Sequence, residues 1–112
     1  MEIKIKAWNS VDRVMVPFAT LCAQPKLLAD IIRGKLKYYI PLMHTGMKDK
    51  NGVEIYENDI ALEMYSDGVS TKTHVVKFDV QRGGYIPFIY ISSRDSQFKI
   101  IGNIHQNPEL MK

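Results

Sequence analysis

Five residues of the types that bind cations or move protons fall in one short stretch: His44, Asp49, Glu54, Glu57 and Asp59. Carboxylates with an imidazole suit a divalent ion or general acid–base chemistry. The spacing argues against that use. No His-x-x-x-His pair or paired cysteines anchor the set, and Lys48 and Lys50 dilute its charge. A structural reading accounts for the same acids. Asp49-Lys50-Asn51-Gly52 is a turn in which Asn-Gly supplies positive φ and Asp49 accepts backbone donors. Asp59 stands at a bend, where a carboxylate can cap backbone N–H groups. A structural motif with no metal and no cofactor is therefore expected.

Other reactive types are scattered. Arg33, Lys35 and Lys37 recur every second residue and lead into Tyr38-Tyr39, so in an extended chain they would line one face beside aromatic rings. That makes them the candidate nucleic-acid contacts, although three cations are few for phosphate binding and would also serve as a solvated edge. Cys22 has no basic or histidine neighbour to activate it and reads as a small buried hydrophobe. His74 opens an apolar strand face as a rim or core residue, and His105 lies near a capped turn, exposed. Ser92, Ser93 and Ser96 lack a nucleophile elbow, and Gly83-Gly84 is too short for a phosphate loop. Trp8, Tyr38, Tyr39, Tyr56, Tyr65, Tyr85 and Tyr90 could stack bases, but aromatics at strand positions mostly fill cores. No catalytic residue is assigned.

The chain's balance bounds what else it can be. At 112 residues, with 46% hydrophobic and 24% charged residues, it fits one globular domain spanning 1–112. A lone cysteine excludes an internal disulfide and suits a reducing, cytoplasmic setting. No stretch approaches the roughly 20 apolar residues of a membrane span, and the first residues alternate instead of forming a signal core. The net charge of +3 is uneven: nine Lys/Arg against four Asp/Glu in residues 1–50, six against eight thereafter. A basic first half permits an acidic partner or a nucleic acid without requiring either.

The elements that must position these residues are mostly strands. Ile3, Ile5 and Ala7 share one face of a half-buried strand, with Lys4, Lys6 and Trp8 on the other. A turn at Asn9–Arg13 returns the chain through Val14-Met15-Val16 to Pro17. One helix is predicted from Pro25 to Gly34, with Leu27, Leu28, Ile31 and Ile32 on its inner side. Further on, Ile60, Leu62 and Met64 form an apolar face, and so do His74, Val76, Phe78 and Val80 after a turn at Ser66-Asp67-Gly68. Gln81-Arg82-Gly83-Gly84 turns into a strand from Tyr85 to Ile91, at an edge or bulge because of Pro87. A last strand, Phe98 to Ile101, leads to Asn107 capping a helical turn begun by Pro108. Short strands with turn signals about every 10 residues imply a mainly β, β-rich α+β fold. It would be a small partly open barrel or two-layer sheet of SH3-like kind with one short helix.

The run Thr45-Gly46-Met47-Lys48-Asp49-Lys50-Asn51-Gly52, followed by Glu54-Ile55-Tyr56-Glu57-Asn58-Asp59-Ile60, resembles the signature of the YopX family of phage and prophage proteins. Ile3-Lys4-Ile5-Lys6-Ala7-Trp8 is similar to that family's opening. Ile101-Gly102-Asn103-Ile104-His105-Gln106-Asn107-Pro108-Glu109-Leu110-Met111 is similar to its close. His44 stands where the family carries an aromatic residue, and the stretch Cys22 to Tyr39 lies outside the resemblance. Asn58 replaces the usual glycine, which fits a residue of positive φ, since asparagine enters that region more readily than most. The resemblance makes Gly46, Asp49, Asn51, Gly52, Tyr56, Asp59, Gly102, Asn103, Asn107 and Pro108 the motif residues. It implies a phage-derived protein of undefined function and carries no catalytic residues.

The expected function is that of a non-enzymatic accessory protein in the cytoplasm of a bacterial host, acting through a protein partner or self-association. Exposed strand edges and aromatics would carry it. The alternative is a nucleic-acid-binding accessory protein using Arg33, Lys35 and Lys37. Neither a small-molecule substrate nor a membrane is indicated.

Overall fold

The structure is a computed structural model that describes residues 4–90 and 97–111. Ile3, Ile91, Ser92, Ser93 and Ser96, named above, lie outside the described residues. The fold is mainly β, as the turn spacing implied. Two compact units divide the chain, Met1–His44 and Thr45–Lys112, and the division falls within a single strand.

In the first unit, β1 (Ile5–Asn9) pairs antiparallel with β2 (Val14–Val16) and with the start of β3 (Tyr39–Lys48). The connection from β1 to β2 is built by Asn9, whose Oδ1 accepts the N–H groups of Val11 and Asp12, with Arg13 at φ 58. Local side-chain bonding of this kind is why asparagine favours turns. Two helices follow β2: α1 (Phe18–Cys22) and α2 (Pro25–Ile32). Pro25 occupies the first turn of α2, where its missing N–H is harmless, and Gly34 at φ 72 ends the segment. Ile5, Ala7, Leu21 and Ile31 form the buried cluster, with Leu27 and Leu28 packed against it.

Three expectations for this unit need correction. The helix α1 is additional to the one predicted, because Pro17, read as a strand end, also opens a helix. Cys22 is exposed, since Leu21 takes the inward position of that short helix. Ile32 is 64% exposed and lies outside the cluster that Ile31 joins.

The second unit contains the end of β3, its neighbour β4 (Glu54–Tyr56), and a three-stranded sheet in the order β6 (Thr71–Val75), β5 (Asp59–Met64), β9 (Gln97–Asn103). A separate hairpin joins β7 (Lys77–Asp79) to β8 (Gly84–Ile86). Ile55, Ala61 and Val76 form the core, with Met47, Tyr85, Phe88, Phe98 and Ile100 against it.

The face of β5 in this core is not the one the alternation suggested. Ala61 belongs to the cluster and Glu63 is buried, whereas Leu62 and Met64 are only half-buried; Ile60, on their face, is nevertheless fully buried. The register against β9 explains the choice. Ile60 faces Gly102 and Ala61 faces Ile100, so Ile101 is an extra residue that brings Ile100 and Phe98 onto the Ala61–Glu63 side. The polar Glu63 is tolerated there because His74 Nε2 meets its Oε1 at 2.8 Å and the Tyr65 hydroxyl donates to it at 3.3 Å.

The apolar series through His74, Val76, Phe78 and Val80 is likewise not one strand. Val76 N–H donates to Asp59 O and Asn58 N–H donates to Val76 O, which buries Val76 where the chain leaves one sheet for the other. Beyond it Phe78 and Val80 are 46% and 83% exposed. The strand expected from Tyr85 to Ile91 stops at Ile86, before the cis-linked and donorless Pro87, and Phe88–Tyr90 form a 3-10 turn.

Candidate functional site

Asp49 fastens the loop between β3 and β4. Its Oδ1 accepts the N–H of Asn51 at 2.8 Å and of Val53 at 2.9 Å, while Oδ2 accepts the N–H of Ile100 in β9 at 2.9 Å. Lys50 N–H donates to Phe98 O alongside. Burial pushes the carboxyl up, but the three backbone donors, joined by the Lys99 charge, hold it below the ordinary 3.8. Asn51 and Gly52 sit at the exposed tip, with Gly52 at φ 81, as the Asn-Gly pair predicts. Gly46, within β3, is at φ 84.

Asp59 repeats this use of a carboxylate. It is 2% exposed, and its Oδ2 accepts the N–H of the buried Tyr56 at 2.8 Å, closing the bend between β4 and β5. Asn58 in that bend has φ 67, the left-handed conformation expected of a position that tolerates glycine or asparagine. Its side-chain nitrogen lies 3.2 Å from His105 Nε2, so His105 is half-buried and bonded, not exposed as predicted. Asp59→Ala is expected to lower stability by about 0.5–2 kcal/mol, the usual loss for such a cap. Urea unfolding measures it, and an unchanged midpoint accompanied by lost partner binding would reassign Asp59 from scaffold to contact.

The closing motif is a third backbone-binding device. Asn103 Oδ1 accepts the N–H groups of His105 and Gln106, and Asn107 Oδ1 accepts the N–H of Asn103 at 3.3 Å. Asn107 therefore does not cap the 3-10 turn Pro108–Met111 through its side chain; its carbonyl receives Leu110 N–H instead. Gly102 is required by this arrangement, because a Cβ there would stand 2.5 Å from Asn107 Oδ1.

The expected basic face does not form as a strand. Arg33 caps α2 in helical geometry, Gly34 is left-handed, and Lys35 and Lys37 follow in irregular and turn conformations. The two-residue period needed to align these cations is lost, although all three are exposed. Among the described residues no group of three or more His, Cys, Asp or Glu side chains is gathered closely enough to hold a metal ion.

Sequence reasoning missed a pocket of about 300 Å³ beside the Asp49 loop. Met47, Ile55, Phe88 and Phe98 line it, with the exposed Lys48 and Lys50 on either side of Asp49. The rings of Phe88 and Phe98 meet edge to face with centroids 5.0 Å apart. Its residues come from four separate places in the sequence, and the motif holds Met47, Lys48, Asp49, Lys50 and Ile55 of them, so nothing local pointed to Phe88 and Phe98.

A small β-rich fold whose motif acids and amides hold turns together is the class these features define. The chain belongs to the YopX protein family, which it matches over residues 4–112. It is similar in fold to the crystal structure of protein EF1440 from Enterococcus faecalis, at 22% identity and TM-score 0.68, covering 100% of this chain and 99% of that one. It is also similar to the X-ray structure of protein yopX from Bacillus subtilis, at 15% identity and TM-score 0.58, with 100% of both chains covered. No curated protein matches it. No helix among the described residues is long and apolar enough to cross a membrane.

Proposed function

We propose that this chain is a phage- or prophage-derived accessory protein that works in the cytoplasm of a bacterial host by binding another protein, without catalysis. One observation carries this reading: Asp49, Asp59, Asn103 and Asn107, four polar residues of the family motif, accept backbone N–H groups. Acceptors committed to the main chain build a scaffold. The groups left to meet a partner are then surface apolar and basic ones, including the aromatic pocket and the edge strand β6. A second copy of the chain is one form such a partner could take.

A tagged pull-down from host lysate, with and without nuclease and at two salt concentrations, tests this. Capture of a protein that survives nuclease and higher salt is the expected result. A phosphate-binding mode of about six contacts would lose roughly a thousandfold in affinity between about 50 and 200 mM salt. Capture that vanishes with nuclease, fades steeply with salt and requires Arg33, Lys35 and Lys37 would replace this reading with nucleic-acid binding.

A further inference from the structure

We propose that the pocket beside the Asp49 loop receives an acidic peptide segment through one aromatic side chain, an inference that rests on the protein-binding reading above. The floor decides the anchor. Met47, Ile55, Phe88 and Phe98 present apolar surface, and an edge-to-face ring pair such as Phe88–Phe98 accepts a further ring in the same geometry. At about 300 Å³ the pocket is at the small end of ligand sites, which suits a single anchoring side chain over a large cofactor.

The rim decides the charge of what flanks that anchor. Both oxygens of Asp49 are turned onto backbone N–H groups of Asn51, Val53 and Ile100, so its negative charge is already compensated by oriented dipoles. Lys48 and Lys50 on either side are exposed at the pocket. The charged residues that line the pocket, Lys48 and Lys50 against Asp49, sum to +1, and carboxylates next to the anchor would meet the two ammonium groups. A basic or neutral segment would leave those charges uncompensated, which is how electrostatic complementarity selects partners. Burial of the ring supplies the anchoring contribution and the lysines supply selectivity and salt dependence.

The test uses amide-resolved NMR of the full chain titrated with an acetylated, amidated peptide of sequence Glu-Asp-Phe-Asp-Glu. Two control peptides replace its Phe with Ala or its acids with Lys. The first peptide should move the amides of Met47, Lys50 and Phe98, and either replacement should weaken binding about tenfold or more. Lys48→Glu with Lys50→Glu should do the same while leaving the melting temperature unchanged, since both side chains are exposed. Equal binding of the lysine peptide, shifts confined to other residues, or no shift at all would overturn the proposal. So would tighter binding of phenylacetate than of the peptide, which would make the pocket a small-molecule site. Repeating the host pull-down with the double lysine variant separates the two readings. Capture lost with the variant supports the pocket, whereas equal capture by both proteins removes the pocket and keeps protein binding. Absence of any nuclease-resistant protein with either removes both.

Discussion

Asp49→Ala is expected to destabilise the protein by about 3 kcal/mol in urea unfolding, because three backbone donors lose a charged acceptor together. The N–H groups of Asn51, Val53 and Ile100 all bond this carboxylate, and the bond to Ile100 joins residues 51 positions apart. Hydrogen bonds to charged groups contribute about 1.5–3 kcal/mol each, less where water can replace the acceptor. Asn51 and Val53 lie in an exposed loop and can rehydrate; Ile100 is half-buried and packs on the core, so its donor is the costly one. Lys50→Ala, at an exposed neighbour, should stay within about 0.5 kcal/mol.

The same residue makes a pH prediction. A carboxyl held below its ordinary 3.8 stabilises the fold fully above that value, and its contribution is lost as pH falls through the lower folded-state value. The stability difference between the native protein and Asp49→Asn should therefore be constant near neutrality and shrink below about pH 3.8. A difference that does not change across that acid range would remove Asp49 as an ionised acceptor.

What the sequence made legible was local. Asp49 accepting from residues two and four ahead, Asp59 accepting from three behind, and Asn58 with positive φ are all decided within a few residues of chain, where spacing and side-chain reach settle the geometry. The helix at Pro25 was legible for the same reason. Tertiary choices were not. The core side of β5 follows from the extra residue Ile101 in β9, 40 positions away, and from His74 satisfying Glu63. Val76 is drawn out of a strand pattern by bonds to Asn58 and Asp59. The strand β3 offered little pattern, since Leu42 is the one buried residue among its ten.

The candidate site shows the same division. Lys48 and Lys50 could be read only as charges diluting an acidic cluster, because nothing nearby in sequence says that Asp49 faces the backbone of β9. The strand pattern that runs through Phe88 in sequence ends at Ile86 in the structure, so the meeting of Phe88 with Phe98 has no local cue. The basic trio failed for a related reason. Its two-residue spacing has meaning only in an extended chain, and Gly34 at φ 72 breaks that geometry between the first cation and the second.

Ile55→Ala should also lower stability by about 3 kcal/mol, within the 2–5 kcal/mol common for buried Ile to Ala changes. Ile55 is 1% exposed and packs with Ala61 and Val76, so its removal takes buried methyl groups from the centre of the second unit's core. Collapse of the surroundings is limited on the backbone side. The Thr45 hydroxyl donates to Ile55 O at 2.8 Å, and Asp49 N–H donates to Val53 O, fixing β4 beside β3. On the other side the residue lines the pocket, so the space left is open to water; that keeps the loss below the top of the range. Val53→Ala is the control, since Val53 is 47% exposed and should change stability by no more than about 0.5 kcal/mol. The comparison tests the register of β4, because a slip of one residue turns the inward face of a strand outward and would carry Ile55 to solvent. Were Ile55→Ala no more destabilising than Val53→Ala, Ile55 would face solvent, and the core and the pocket floor assigned to it would both be wrong.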